Sequence, residues 1–176
     1  MDNSQNDHLK AYGLVYFMLD KNTNVEWLLN YKGGSFLLDY QDILFKEAQL
    51  RGITLYNVNA SDLNNIFQEI DNQNMDIVLL EKAPKIAVYS PKDKQPWDDA
   101  VTLALTYAEV DYDVIFDQEV LSGELSQYDW LHLHHEDFTG QYGKFYKSFR
   151  NSSWYKKMEN DFQKIASNLG FNTVQN

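Results

Sequence analysis

The 176-residue chain is 44% hydrophobic and 15% aromatic, which is enough apolar material to bury a core and excludes wholesale disorder. Its formal net charge of −11 argues against nucleic acid and anionic membrane surfaces as partners. The absence of cysteine excludes disulfides, thiolate metal sites and a cysteine nucleophile among these residues. Residues 1–10 lack the apolar segment of a signal peptide, and the longest apolar stretch, residues 12–19, is too short to span a bilayer. No membrane insertion is therefore predicted, and the residues alone leave the compartment open.

Residues 1–83 predict a small N-terminal α/β unit with the element order α-β-β-α-β-α-β. The predicted elements are a helix over residues 4–20, strands over 25–31 and 35–40, a short helix ended by Gly52, a strand over 53–58, a helix capped by Ser61 and a strand over 76–80. The first two strands are separated by Lys32-Gly33-Gly34, a pattern typical of a hairpin.

Residues 84–176 predict the βαβαβ first half of a doubly wound parallel sheet. The elements are a strand over 86–89, a helix opened by Pro96, a strand over 112–116, a helical segment over 120–125, a strand over 130–134 and a last helix from Ser153 to Gly170. That last helix is expected to bury Trp154, Met158, Phe162, Ile165 and Leu169. The aromatic stretch before it, residues 138–155, is interpreted as a packed loop. A sheet of three strands leaves an exposed edge, so self-association is expected.

The residues that carry most chemistry follow the last predicted strand, in the run Trp130-Leu131-His132-Leu133-His134-His135-Glu136-Asp137. Since parallel strands end at one edge of a sheet, His134, His135, Glu136 and Asp137 are candidates for a ligand crevice there. His132 and His134 share a strand face about 7 Å apart, which suits a divalent metal. The alternative is that His132 is a hydrogen-bonded core residue. No other cofactor is predicted.

The loop after the strand over 86–89 is the second candidate, with Ser90 and Lys92 as ligand-binding residues. A lysine just before a helix N-terminus favours an anion, but Asp98 and Asp99 occupy the same turn and would repel a phosphate. No serine has the surroundings of a nucleophile elbow, so the sequence predicts no covalent catalyst.

Five stretches of the chain, which together reach across most of it, resemble a family of bacterial proteins commonly labelled "asparagine synthetase B". They are residues 11–13, 25–36, 83–92, 94–102 and 128–145, the last of which contains the histidine-rich run. The resemblance implies a flavodoxin-like domain of the class I glutamine amidotransferase type and, because members usually carry an export signal, a periplasmic or envelope location. Members are longer and continue into a glycine-rich turn that carries a cysteine. The resemblance thus implies that residues 84–176 are the first part of such a domain.

The labelled reaction requires an N-terminal cysteine and a Ser-Gly-Gly-type phosphate loop, and these residues contain neither. We therefore expect no glutaminase or asparagine synthetase activity from this chain. Two functional classes stay open: an enzyme or former enzyme of amidotransferase-like architecture, and a non-catalytic binding or scaffolding domain. The partner is a small molecule or a protein of unknown identity.

Overall fold

The computed structural model describes residues 2–90, 99–133 and 141–172, with the backbone alone for 141–143. The chain is mixed α/β and divides into two compact units. One comprises Met1–Pro84 with Ala100–Asp111, and the other Lys85–Asp99 with Tyr112–Asn176. The chain first passes from one unit to the other between Pro84 and Lys85, one residue after the predicted boundary between residues 83 and 84. Residues 100–111, which were predicted to belong to the second unit, group with the first.

The first unit packs helices against a small antiparallel sheet. Its elements are α1 (His8–Asp20), β1 (Val25–Leu29), β2 (Ser35–Leu37), α2 (Asp42–Arg51), α3 (Ala60–Asn72), β3 (Asp76–Leu80) and α4 (Ala100–Ala108). The sheet has the order β2-β1-β3, and both pairings are antiparallel. The predicted hairpin is confirmed: β1 and β2 are joined by a 3-10 turn in which Asn30 and Lys32 adopt left-handed φ values of 65° and 48°.

The core of this unit is built on one face of α1. Asp7 caps the helix, its carboxylate accepting a hydrogen bond of 2.9 Å from the backbone N–H of Lys10. The buried residues of the helix are Ala11, Gly13, Leu14, Val15, Met18 and Leu19. Because Asp7 is the cap, the helix begins at His8, four residues after the predicted start at Ser4.

Two predicted details of the first unit are wrong. Residues 53–59 form no strand; Ile53 instead donates its N–H to the carbonyl of Ala48 at 2.8 Å, after Gly52 ends α2 with a left-handed φ of 70°. Ile53 and Leu55 still contribute to the core. The cap of α3 is Asn59 and not Ser61, because its side chain accepts from the N–H groups of Ser61 and Asp62.

The second unit is built on three parallel strands. Its elements are β4 (Ile86–Tyr89), β5 (Asp113–Ile115), α5 (Asp117–Leu121), a 3-10 turn (Glu124–Gln127), β6 (Trp130–Leu133), α6 (Gln141–Phe149) and α7 (Ser153–Asn168). The sheet order is β5-β4-β6, and both pairings are parallel. The central strand β4 buries Ile86, Ala87 and Val88, as its continuous apolar sequence predicts. Trp130 and Leu133 of β6 are 42% and 39% exposed.

The end of the chain differs from its prediction. Residues 141–149 form the helix α6 where a packed loop was expected. The helix α7 has the predicted start at Ser153, but none of its residues is buried, and Trp154 is 45% exposed. The other four residues expected to be buried, Met158, Phe162, Ile165 and Leu169, are partly buried, so the helical spacing located the packed face of α7 but overestimated its burial.

Candidate ligand site at the carboxyl edge of the parallel sheet

The three parallel strands end at one edge of the sheet, where open α/β sheets bind their ligands. The residues at this edge are Tyr89 and Ser90 after β4, Phe116 and Asp117 after β5, and Leu133 at the end of β6. Because β4 lies between its two neighbours, its end borders both of the others. The candidate site is therefore built around Tyr89 and Ser90.

Ser90 is fully buried, with 0% of its surface exposed. Its N–H continues the ladder by donating to the carbonyl of Ile115 at 3.0 Å. Its hydroxyl Oγ makes no hydrogen bond with any residue in the part of the chain that the structure describes. A buried hydroxyl without a partner is destabilising by about 1–3 kcal/mol, so such a group calls for a partner or a use.

His132 lies on the same face of the sheet as Ser90. Its Cα partner in β4 is Val88, and strand alternation places Ser90, two residues after Val88, on that face. His132 Nε2 is 3.0 Å from Oδ1 of Asp99, and the side chains are 18% and 11% exposed. Since Asp99 occupies Nε2, only Nδ1 of the imidazole is left for another partner.

The opposite face of the edge carries a second polar contact. The hydroxyl of Tyr89 donates to the Asp117 carboxylate at 2.5 Å. The Tyr89 ring packs on Phe116 with centroids 5.1 Å apart, and Phe116 in turn contacts Phe162 of α7 at 6.2 Å. These aromatic contacts fix the position of the phenol and of the carboxylate that it holds.

The edge is acidic in the contacts that the structure describes. Asp99 and Asp117 lie on its two faces, and Glu119 stands in the first turn of α5. Carboxylates repel phosphate and accept hydrogen bonds from N–H groups. The chemistry of the edge therefore suits a small ligand that carries an amide or ammonium group.

The candidate residues Lys92, His134, His135, Glu136 and Asp137 lie outside the described residues. Ser90 and His132 are brought to one face of the sheet by the register of β4 and β6. For the predicted metal, the described residues hold no group of three or more possible ligands, and His134 lies outside them.

Three polar residues at this edge were not singled out from the sequence as ligand-site residues. Asp99 was considered only as a charge that repels phosphate, whereas it also binds His132. Tyr89 and Asp117 form a pair across 28 positions of sequence, which no local pattern reveals. For Tyr89 and Asp117 the available signal was position, since Tyr89 ends β4 and Asp117 follows shortly after β5.

A second concave region lies in the first unit, beside the start of α1. It has a volume of about 540 Å³ and is lined by polar residues that include Asp7, His8 and Tyr107. The Tyr107 hydroxyl donates to Asp7, which lowers the pKa of that carboxyl and raises the pKa of the phenol. Asp7 already serves as the cap of α1, so this contact is explained by the fold.

Comparison of the sequence with models of known protein families gave no match, and comparisons with curated proteins and with solved structures gave none. Among the helices that the structure describes, none has the length and apolar character needed to cross a bilayer.

Proposed function

We propose that this chain binds a small polar molecule at the carboxyl edge of its parallel sheet, between β4 and β6, and that it does so without hydrolysing it. The observation that carries the proposal is the buried Ser90 hydroxyl, which has no hydrogen-bond partner among the described residues. A ligand atom that bonds to Oγ would remove the desolvation penalty of that hydroxyl.

The strand order supports the choice of β4 and β6. In a flavodoxin-like sheet the first strand lies between the second and the third, and the ligand crevice opens between the first and third. The order β5-β4-β6 is that arrangement for three parallel strands. We propose on this basis, and on the resemblance described above, that the second unit is the beginning of a domain of the class I glutamine amidotransferase type.

The polar groups support an amide or ammonium ligand. Ser90 offers a hydroxyl that accepts or donates, and Asp99, which pairs with His132 of the same face, offers carboxylate oxygens. His134, His135, Glu136, Asp137 and Lys92 remain proposed members of the site. L-Glutamine, which has both an amide and an ammonium group, is the natural probe for a domain of this resemblance.

Binding is tested by isothermal titration calorimetry of the full chain with L-glutamine, L-glutamate and inorganic phosphate. We expect saturable binding of L-glutamine, weaker binding of L-glutamate and none of phosphate. Ser90→Ala is expected to weaken the binding, whereas Ser126→Ala, which changes an exposed serine of the same unit, leaves it intact. No binding of any probe, or equal binding by Ser90→Ala, contradicts the site.

Catalysis is tested separately. The chain has no cysteine, so we expect no ammonia release from L-glutamine above that of a heat-denatured sample. Sustained ammonia release that Ser90→Ala abolishes would instead make the chain an enzyme.

A scaffolding domain is the second candidate function. It is favoured by the exposure of Phe145, Phe149 and Trp154 on α6 and α7, because a solvated helix pair rarely exposes three large aromatic side chains together. A chain that binds none of the probes but forms a stable protein complex through these residues would support this function.

A further inference from the structure

Three aromatic side chains of the second unit form a contiguous, half-exposed cluster. Phe145, Phe149 and Trp154 are 52%, 40% and 45% exposed. Their ring centroids are 4.7 Å apart for Phe145 and Phe149, 5.8 Å for Phe149 and Trp154, and 6.5 Å for Phe145 and Trp154. Soluble proteins rarely present such clusters to water unless the cluster binds something.

Four cations lie close to this cluster in sequence, on α6 and α7 or between them. Lys147, Arg150, Lys156 and Lys157 are exposed and make no ion pair with the described residues. The sequence of residues 141–172 contains six basic and two acidic residues, a net charge of +4. The remaining residues contain nine basic and 24 acidic residues, a net charge of −15. We name the three aromatic residues and these four cations the aromatic–basic surface.

A complementary segment occurs in the same chain. Residues 113–124 contain four acidic residues and no basic one. Of these, Asp113, Asp117 and Glu124 make no ion pair with the described lysines and arginines. Val114 and Leu121 within it are 41% and 52% exposed, so the segment offers apolar contacts between its charges. We name residues 113–124 the acidic segment.

We propose that the aromatic–basic surface of one copy of this chain docks on the acidic segment of a second copy. Both the charges and the exposed apolar groups are complementary, which are the features that steer association and anchor an interface. Because each copy carries both surfaces, the contact can close as a twofold dimer with two equivalent pairings or continue head-to-tail from copy to copy. An anionic membrane, the other partner that suits aromatic and basic helices, would have to approach a chain whose remaining charge is −15.

The first test is sedimentation equilibrium of the full chain over a concentration series at low and high salt. Association that weakens as salt rises is expected, since the screening length falls from about 30 Å at 0.01 M to about 3 Å at 1 M salt. Trp154→Ser changes an exposed side chain and should raise the dissociation constant by about tenfold or more, as at a hot-spot aromatic. A chain that is monomeric at every concentration and salt overturns the proposal.

The second test is a charge swap. The variant Lys156→Glu/Lys157→Glu and the variant Asp113→Lys/Glu124→Lys should each be monomeric alone and should associate when mixed. Lys21→Glu/Lys46→Glu, an equal change of charge on the first unit, should associate like the wild type. Failure of the mixture to associate, or monomerisation by the Lys21/Lys46 control, contradicts the specific pairing.

The third test addresses the membrane. Co-sedimentation with phosphatidylglycerol vesicles should show no binding that depends on Trp154. Vesicle binding that Trp154→Ser abolishes, by a chain that does not self-associate, would replace the second copy with a lipid surface and overturn the proposal.

Discussion

Ser90 illustrates what a single buried hydroxyl implies. Its backbone N–H is used by the sheet, and its side chain is buried without a partner among the described residues. The sequence places Ser90 at the end of an apolar strand and so predicts its proximity to a crevice. It does not predict the burial of the hydroxyl, because burial depends on elements that are distant in sequence.

Replacing Ser90 with alanine should leave the free energy of unfolding unchanged or raise it by about 1 kcal/mol, because the substitution removes an unsatisfied buried group. Urea denaturation without ligand measures this. Ser35→Ala is the control: the Ser35 hydroxyl donates to the Tyr31 carbonyl at 3.2 Å, so its loss should be destabilising by about 0.5–1.5 kcal/mol. A loss above about 1 kcal/mol for Ser90→Ala would mean that the hydroxyl already has a protein partner.

His132→Ala should be destabilising by about 1–3 kcal/mol, because it leaves the largely buried Asp99 carboxylate without this hydrogen bond. His132→Gln keeps an N–H donor in reach and should recover part of the loss. Urea denaturation with and without EDTA provides the measurement. If instead added zinc raises the stability of the wild type and not of His132→Ala, the imidazole is a metal ligand, as the spacing of His132 and His134 suggests.

At the scale of elements, the contact between α1 and α4 of the first unit depends on a missing side chain. A Cβ placed on Gly13 would lie 1.7 Å from the carbonyl oxygen of Ala108, which is backbone and cannot rotate away. The helices can therefore approach only because residue 13 is glycine. The sequence shows this glycine within a helical pattern but does not reveal which element it faces.

Gly13→Ala should be destabilising in spite of the better helix propensity of alanine. Propensity contributes about 1 kcal/mol in favour of alanine, whereas overpacking costs about 1–3 kcal/mol, and a clash with backbone belongs at the upper end. A net loss of about 2 kcal/mol is expected in urea denaturation. Asn64→Ala, on the exposed face of α3, should change stability by less than about 0.5 kcal/mol. A more stable Gly13→Ala variant would contradict the close approach of α1 and α4.

The end of α4 is held by ion pairs that depend on pH. Glu109 lies directly after the helix with a left-handed φ of 59° and pairs with Lys10 at 2.5 Å and Arg51 at 3.0 Å. The hydrogen bond from Lys10 and the charge of Arg51 lower the pKa of the Glu109 carboxyl below its ordinary value. A carboxyl whose pKa is lower in the folded than in the unfolded state stabilises the fold. This stabilisation is complete above the unfolded-state pKa and is lost as the pH falls through the folded-state pKa.

Glu109→Gln should therefore reduce stability at pH 7 and have a smaller effect at about pH 3. Because the Glu109 side chain is 48% exposed, the difference at pH 7 should stay below about 1 kcal/mol. Urea midpoints of both proteins at the two pH values measure it, with Glu69→Gln on α3 as a control outside the network. A difference that is the same at both pH values would show that the charge of Glu109 is not the cause.

The elements show why some predictions succeeded and others did not. The hairpin and the end of α2 were predicted correctly, because glycine backbone preferences act locally. The strand predicted over residues 53–58 was wrong: Ile53 and Leu55 are packed in the core, but no neighbouring strand pairs with them among the described residues. The alternation of apolar residues predicts that they are buried, whereas the pairing of a strand depends on residues that are far away in sequence. The burial of α7 was overestimated for the same reason. Its apolar spacing predicts which face of the helix packs but not how completely other elements cover that face.

At the scale of the whole molecule, charge and topology carry different information. The net charge of −11 combines +4 on residues 141–172 with −15 on the remaining residues. The proposed self-association follows from this difference between regions and not from the net charge. The order β5-β4-β6 supplies what the sequence alone could not, namely which strand ends are neighbours. It supports the crevice between β4 and β6 over any other loop cluster of the second unit.

The ligand site between β4 and β6 is tested most directly by mapping backbone amide chemical shifts while the full chain is titrated with L-glutamine. Saturable shifts are expected at Ser90 and at His132 and Leu133 on β6, and Ser90→Ala should need a higher L-glutamine concentration to reach the same shifts. If these amides do not respond, or if the shifts are confined to the region of Asp7 and Tyr107 in the first unit, the chain has no L-glutamine site at this edge.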